Sequence, residues 1–163
     1  MRHSLLAAAL LTALVAGCKA EAPTAPAAST APAAAPGVQA DARFAELSKR
    51  WLEGWLPLNP VSATQIGDHR FDAELDDVSA AGRQRALEFS KKTLAELDAI
   101  DAAALSRENQ VDALILRNQL RGDIWSIETL QAWAWDPQGY NSLAGGAIYN
   151  LMAREFAPLP ERL

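Results

Sequence analysis

Of the side chains that most often do chemistry, this 163-residue sequence holds two histidines and one cysteine. His3 lies in an N-terminal leader, so His69 is the imidazole available to a folded domain. A catalytic zinc site takes three protein ligands, commonly including two histidines. No His-Glu-x-x-His segment, Cys pair, P-loop or Rossmann glycine pattern is present. A Ser/His/Asp triad could be drawn through His69, but no nucleophile-elbow sequence supports it. The most polar cluster is Gly67-Asp68-His69-Arg70-Phe71-Asp72, followed by Glu74, Asp76 and Asp77. Asp68, His69 and Asp72 could hold a cation. The plainer reading is a solvated turn between helices, with the acids serving the next helix N-terminus.

A second candidate is the polar-aromatic stretch Trp133-Ala134-Trp135-Asp136-Pro137-Gln138-Gly139-Tyr140. Asp-Pro-Gln-Gly fits a type I turn. Trp133, Trp135 and Tyr140 could form a platform for a peptide or a sugar, and His69 with Asp72 could add to such a surface. Large aromatics beside a turn more often plug a core. Gly145-Gly146 inside a helix costs about 1 kcal/mol per glycine relative to alanine. Close packing of another backbone is the expected compensation, a substrate channel the alternative.

The single cysteine carries a different chemistry. Met1-Arg2-His3-Ser4, an apolar run from Leu5 to Ala16, and then Gly17-Cys18 have the anatomy of an export signal. The run is shorter than the roughly 20 apolar residues of a bilayer span. Val15-Ala16-Gly17-Cys18 resembles the bacterial lipobox, in which the cysteine is acylated and becomes the new N-terminus. Residues 1–17 are therefore expected to be a lipoprotein signal peptide and Cys18 the lipidation site. Several acyl chains anchor stably where one is marginal. The mature protein should sit on a membrane of the cell envelope without spanning it. Lys19, where inner-membrane lipoproteins of many Gram-negative bacteria carry Asp, favours the outer membrane, with the domain facing the periplasm.

Residues 19–40 hold ten Ala and four Pro and almost no large apolar side chain. Such a stretch has little to bury against its ordering entropy. Residues 18–40 read as an acylated cysteine on a disordered tether, about 3 Å long per residue where polyproline-like. Half of the whole chain is hydrophobic, with 15 Lys+Arg against 20 Asp+Glu. Without Arg2, Lys19 and Glu21, the charges of the first 40 residues, 13 basic and 19 acidic residues remain in 41–163. A nucleic-acid partner wants a basic face, so none is expected. One cysteine excludes a disulfide scaffold.

The elements that must position these residues are helical. Phe44, Leu47, Trp51, Leu52 and Trp55 make one apolar face of a 3.6-residue period, ended by Pro57 and Pro60. A second helix spans 79–100 behind Ser79 as N-cap, with Leu87, Leu94, Leu97 and Ile100 apolar. A third opens at Ser106 and runs to about Leu130 through Val111, Leu114, Ile115, Leu116, Leu120, Ile124 and Ile127. A fourth spans about Ser142 to Phe156, with Ala144, Ile148, Leu151 and Met152 on one side. No clean alternation argues for strands, so the class is all-α. Pro158-Leu159-Pro160-Glu161-Arg162-Leu163 opens like a helix and stops. Residues 41–163 are thus expected to be the N-terminal part of an all-helical domain that continues beyond this sequence.

Leu58-Asn59-Pro60-Val61-Ser62-Ala63-Thr64-Gln65-Ile66-Gly67-Asp68-His69-Arg70-Phe71-Asp72 resembles the opening motif of the bacterial "domain of unknown function 885" family. Trp135-Asp136-Pro137 with Tyr140, and Arg154-Glu155-Phe156-Ala157-Pro158-Leu159 with Arg162-Leu163, resemble two further signatures in the same order. The resemblance implies the N-terminal helices of a larger, gluzincin-like helical protein, often a lipoprotein and grouped with zinc metallopeptidases. Its His-Glu and Pro-Gly-His ligands lie downstream of the region matched, so no catalytic or metal residue carries over to 41–163. The family then implies a cleft wall here, with zinc and a peptide substrate belonging to the full-length protein. The competing reading is a non-catalytic helical lipoprotein that binds peptide or glycan through its Trp-rich surface.

Overall fold

The structure is a computed structural model that describes residues 36–162. The signal peptide, Cys18 and the tether up to residue 35 lie outside the described residues. Within them the chain is helical and no strand occurs. Helix α1 spans Pro36–Trp55, and a 3-10 turn at Leu56–Leu58 leads into α2, Pro60–Ile66. A second 3-10 turn at His69–Phe71 and an extended stretch precede α3, Ala80–Asp98. A third, Ala102–Ala104, joins α3 to α4, Arg107–Trp125. Helix α4 widens into a π-helical turn at Ser126–Leu130. The short α5, Ala132–Trp135, then α6, Gln138–Ala153, and α7, Leu159–Arg162, complete the described chain.

One apolar core joins α1, α3 and α4: Ala40, Phe44 and Leu47 meet Leu97, Leu105, Ala113, Leu116 and Leu120. Their spacing in α1 (40, 44, 47, with Trp51 packed beside them) is one helical face. This corrects the expected tether. Residues 36–40 are helical. Ala40 is buried in the core. An Ala-rich composition reads as unable to fold, yet alanine is the strongest helix former. Five residues assigned to the linker therefore belong to α1.

The caps explain where α3 and α4 begin. The hydroxyls of Ser79 and Ser106 accept the N–H groups of Gly82 and Asn109. Asp41 on α1 accepts the Ser106 N–H at 2.9 Å and the Asn109 amide at 2.7 Å, joining two helices through one carboxylate. Those bonds, Asn109 first, hold its pKa below the ordinary value. Gly54 lets α1 and α3 close together, since a Cβ there would lie 2.5 Å from the Phe89 ring.

Outside this bundle α2 packs on α6. Pro60 was expected only to end a helix, but it begins one: α2 has proline in its first turn, with Ala63 and Thr64 buried. Helix α6 starts at Gln138, four residues before the expected Ser142, because the Asp-Pro-Gln-Gly turn is its first turn. Asp136 accepts the Gln138 N–H at 3.0 Å. The face that α6 packs also differs from expectation. Asn150 is buried, whereas Ile148 and Met152 are 58% and 55% exposed.

Candidate functional site

Asn59 and Pro60 start α2, which carries Thr64 into a buried position, and Gly67, at φ 94°, ends it. That left-handed conformation suits glycine and turns the chain so that Asp68-His69-Arg70-Phe71-Asp72 folds back along the helix. Asp68 caps the 3-10 turn by accepting the Arg70 N–H, and its carboxylate also holds the Arg70 guanidinium at 2.6 Å. Arg70 reaches on to Glu53 of α1 at 3.1 Å. These bonds, the Arg70 side chain first, depress the Asp68 pKa. Being exposed ion pairs, they orient the turn more than they stabilise it.

Inside this frame three side chains form a chain of hydrogen bonds. The buried Thr64 hydroxyl donates to Asp72 Oδ1 at 2.6 Å. The other carboxylate oxygen of Asp72 lies 2.9 Å from His69 Nδ1. A hydroxyl has one proton, so the shorter contact to a carboxylate prevails over the Pro60 carbonyl at 3.3 Å. The Phe156 ring stacks on the His69 imidazole, with centroids 3.7 Å apart and planes 20° from parallel. His69 and Asp72 are thus brought together as a pair rather than as members of a cation cage. Among the described residues, no three His, Cys, Asp or Glu side chains are grouped to hold a metal ion.

The C-terminal signature serves this cluster. Arg154 donates to the Gln65 carbonyl of α2. Arg162 donates to the carbonyls of Leu151, Met152 and Arg154, satisfying the orphan acceptors at the end of α6. The supporting roles of Thr64 and Phe156 were not readable from spacing, because α2 itself was not expected. The available signal was Pro60 at a first helical position.

The aromatic candidates separate. Trp133 and Tyr140 line one groove of about 360 Å³, together with Leu75, Asp76, Val78 and Arg83. Trp135 is not part of that lining. Its indole N–H donates to the Leu130 carbonyl at 2.9 Å, while the Tyr140 hydroxyl donates to the Trp133 carbonyl at 2.8 Å. Trp133, Trp135 and Tyr140 are 38%, 63% and 40% exposed, which corrects their expected role as core plugs. Helix α5 has only four residues, too few to reach the bundle core. The Arg83 guanidinium lies 4.0 Å above the Trp133 ring as a cation–π partner.

Asp76 and Asp77 divide the work expected of both. Asp77 serves α3: it accepts from Ser79 and pairs with Arg85, and these bonds, Ser79 first, lower its pKa to about 2. Asp76 turns back to α2 and accepts the Val61 N–H at 3.1 Å. Burial raises its pKa. Gly146 makes only an ordinary 3.9 Å contact with Val61, and Gly145 faces open space, so close packing does not account for the pair.

Residues 60–163 match the family model described as bacterial protein of unknown function (DUF885). This chain belongs to that family. The matched segment begins with α2 and includes the Thr64–Asp72–His69 chain, the Trp133–Tyr140 groove and the Arg162 cap. A solved structure from Shewanella oneidensis, described as a candidate lipoprotein of unknown function, is similar with 32% identity and a TM-score of 0.67. That likeness covers 73% of this chain and 21% of the Shewanella chain, so the family member here spans about a fifth of that protein's length. No curated protein matches. A lipoprotein relative agrees with an envelope-associated chain. Among the described residues no helix is long and apolar enough to cross a membrane.

Proposed function

We propose that this chain is the N-terminal portion of a lipid-anchored envelope protein resembling zinc metallopeptidases, contributing cleft wall and no catalytic residue. The carrying observation is a pair of apolar stripes without partners among the described residues. On α4, Val111, Leu114, Ile115 and Trp125 are 41–63% exposed; on α6, Ile148, Tyr149 and Met152 are 55–68% exposed. Residues at these spacings share one face of a helix. Contiguous exposed apolar surface marks an interaction face, and the Shewanella chain is about five times as long as the part this likeness covers.

The described residues do not fit a zinc site. Among them His69 is the one imidazole, and no three His, Cys, Asp or Glu side chains are grouped to hold a metal ion. Zinc and its general base would belong to residues beyond this sequence. Cys18, acylated, would hold the protein on the periplasmic face of the outer membrane.

Expression of the whole natural protein tests the reading. One zinc per chain, with peptide cleavage lost on chelation, is expected of it, and neither is expected of residues 36–163. A metal-free, inactive whole protein would contradict the peptidase reading. The second reading, peptide or glycan binding, draws on the Trp133–Tyr140 groove, where Asp76 has no cationic partner among the described residues. Fluorescence quenching by such a ligand, lost on Tyr140→Ala, would favour it.

A further inference from the structure

Between the end of α1, α3 and the end of α4 lies a second, smaller cavity of about 170 Å³. Asp123 of α4 is partly buried at its edge and accepts one side-chain hydrogen bond, from Gln119 at 2.8 Å. Burial pushes its carboxyl pKa up. No other ionisable side chain lines the cavity. The cations of the surrounding elements are engaged elsewhere. Arg85, Lys91 and Arg117 pair with Asp77, Glu128 and Asp98, Arg83 lies over Trp133, and Lys92 lines a separate groove. A carboxylate withdrawn from water without a counter-charge is costly.

Neutral oxygens face the same space. Ser90 of α3 lines the cavity while only 5% exposed, and its hydroxyl has no partner among the described residues. Asn59 gives its amide N–H to the Trp55 carbonyl at 2.9 Å, which leaves its own side-chain oxygen free to accept. Ser126 lines the cavity where the π-helical turn begins, closed by the Gln131 N–H on the Ser126 carbonyl at 2.9 Å. Such turns are rare and recur beside functional sites.

These groups select the ligand. One carboxylate among neutral oxygens matches a single positive charge, whereas calcium and magnesium sites gather more oxygen ligands or more carboxylates. The aromatic walls, Trp55 and Phe89, suit a weakly hydrated cation. At roughly 30 Å³ per water, the space admits an ion with a few waters. It is smaller than the pockets of about 300 Å³ and more that organic ligands fill.

We propose that Asp123, Ser90, Ser126 and Asn59 hold a weakly hydrated monovalent cation of potassium's class, with Asp123 as its counter-charge. The ion ties α3 to the end of α4 at the point where that helix widens. The site stands on this cavity alone and holds whether or not the whole protein is a peptidase.

Thallium(I) NMR of the full chain, in chloride-free buffer with thallium standing in for potassium, tests the proposal. A saturable shift of the thallium resonance is expected, reversed by potassium and not by choline. In thermal melts at fixed ionic strength, potassium should raise the midpoint saturably above its value in choline. Asp123→Asn, nearly the same in shape, should abolish both effects, and Ser90→Ala should weaken thallium binding several-fold. Circular dichroism separates loss of the site from loss of the fold in each variant. The unaltered chain supplies a check that needs no variant: potassium should lower the Asp123 carboxyl pKa, followed by ¹³C NMR. An unshifted thallium resonance, an Asp123 pKa equal in potassium and choline, or full thallium binding by folded Asp123→Asn would each overturn the proposal.

Discussion

Thr64 shows how much of this molecule turns on single polar atoms. Its hydroxyl is buried and donates to a carboxylate. Removing one partner of a buried bond costs more than the bond's net contribution. Thr64→Val, nearly the same in shape, should therefore lower stability by about 1–2 kcal/mol, measured by urea denaturation. Asp77 gives a pH effect of known sign. Its folded pKa is depressed to about 2 from 3.8. Its contribution is fully present above about pH 4 and lost as pH falls through about 2. Arg85→Ala should make that acid limb of the melting curve shallower only in part, since the Ser79 bonds contribute more. His69 and Asp72 stood out in the sequence because histidine is rare and the two are three residues apart. Their joining through Thr64 was hidden, since it depends on a glycine with positive φ that folds the turn onto a helix not expected there.

At the scale of elements, caps and periodicity were legible and the exceptions have physical causes. Ser79 and Ser106 were readable as caps, and both accept the bonds that reading implies. Proline at 60 reads as a terminator, although it begins α2 there. Composition cannot separate a proline that stops a helix from one that starts the next. The helical glycines split in sign. A Cβ at Gly82 would lie 2.0 Å from the Asp77 carbonyl oxygen, backbone that cannot move aside cheaply, so Gly82→Ala should destabilise by about 1–3 kcal/mol. Gly122 of α4 faces open space, and Gly122→Ala should stabilise the same chain by about 1 kcal/mol. Thermal melts of the two variants, run side by side, check both. Helix α6 was mistaken in face rather than in existence: a helix apolar around much of its circumference does not reveal which stripe is inside. Here Asn150 points inward and Met152 outward.

The described residues form a three-helix core of α1, α3 and α4 with an α2–α6 pair outside it, and apolar stripes on α4 and α6 are left uncovered among them. The core should behave like any close-packed interior. Leu120 is fully buried, and Leu120→Ala should cost about 2–5 kcal/mol. The all-helical class and the family were both readable from the sequence. That apolar surface would exceed what four helices cover was readable too; which faces stay uncovered was not, because an amphipathic pattern says that a stripe wants burial and does not say whether a neighbour is present.

We propose that these stripes are internal surfaces of a larger protein. Binding of a hydrophobic dye, followed through a thermal melt, tests it on residues 36–163 and on the whole natural protein in parallel. Strong dye binding and a broad melt are expected of the short chain, and little dye with a sharp, cooperative melt of the whole protein. A short chain that melts sharply as a dye-negative monomer would contradict it.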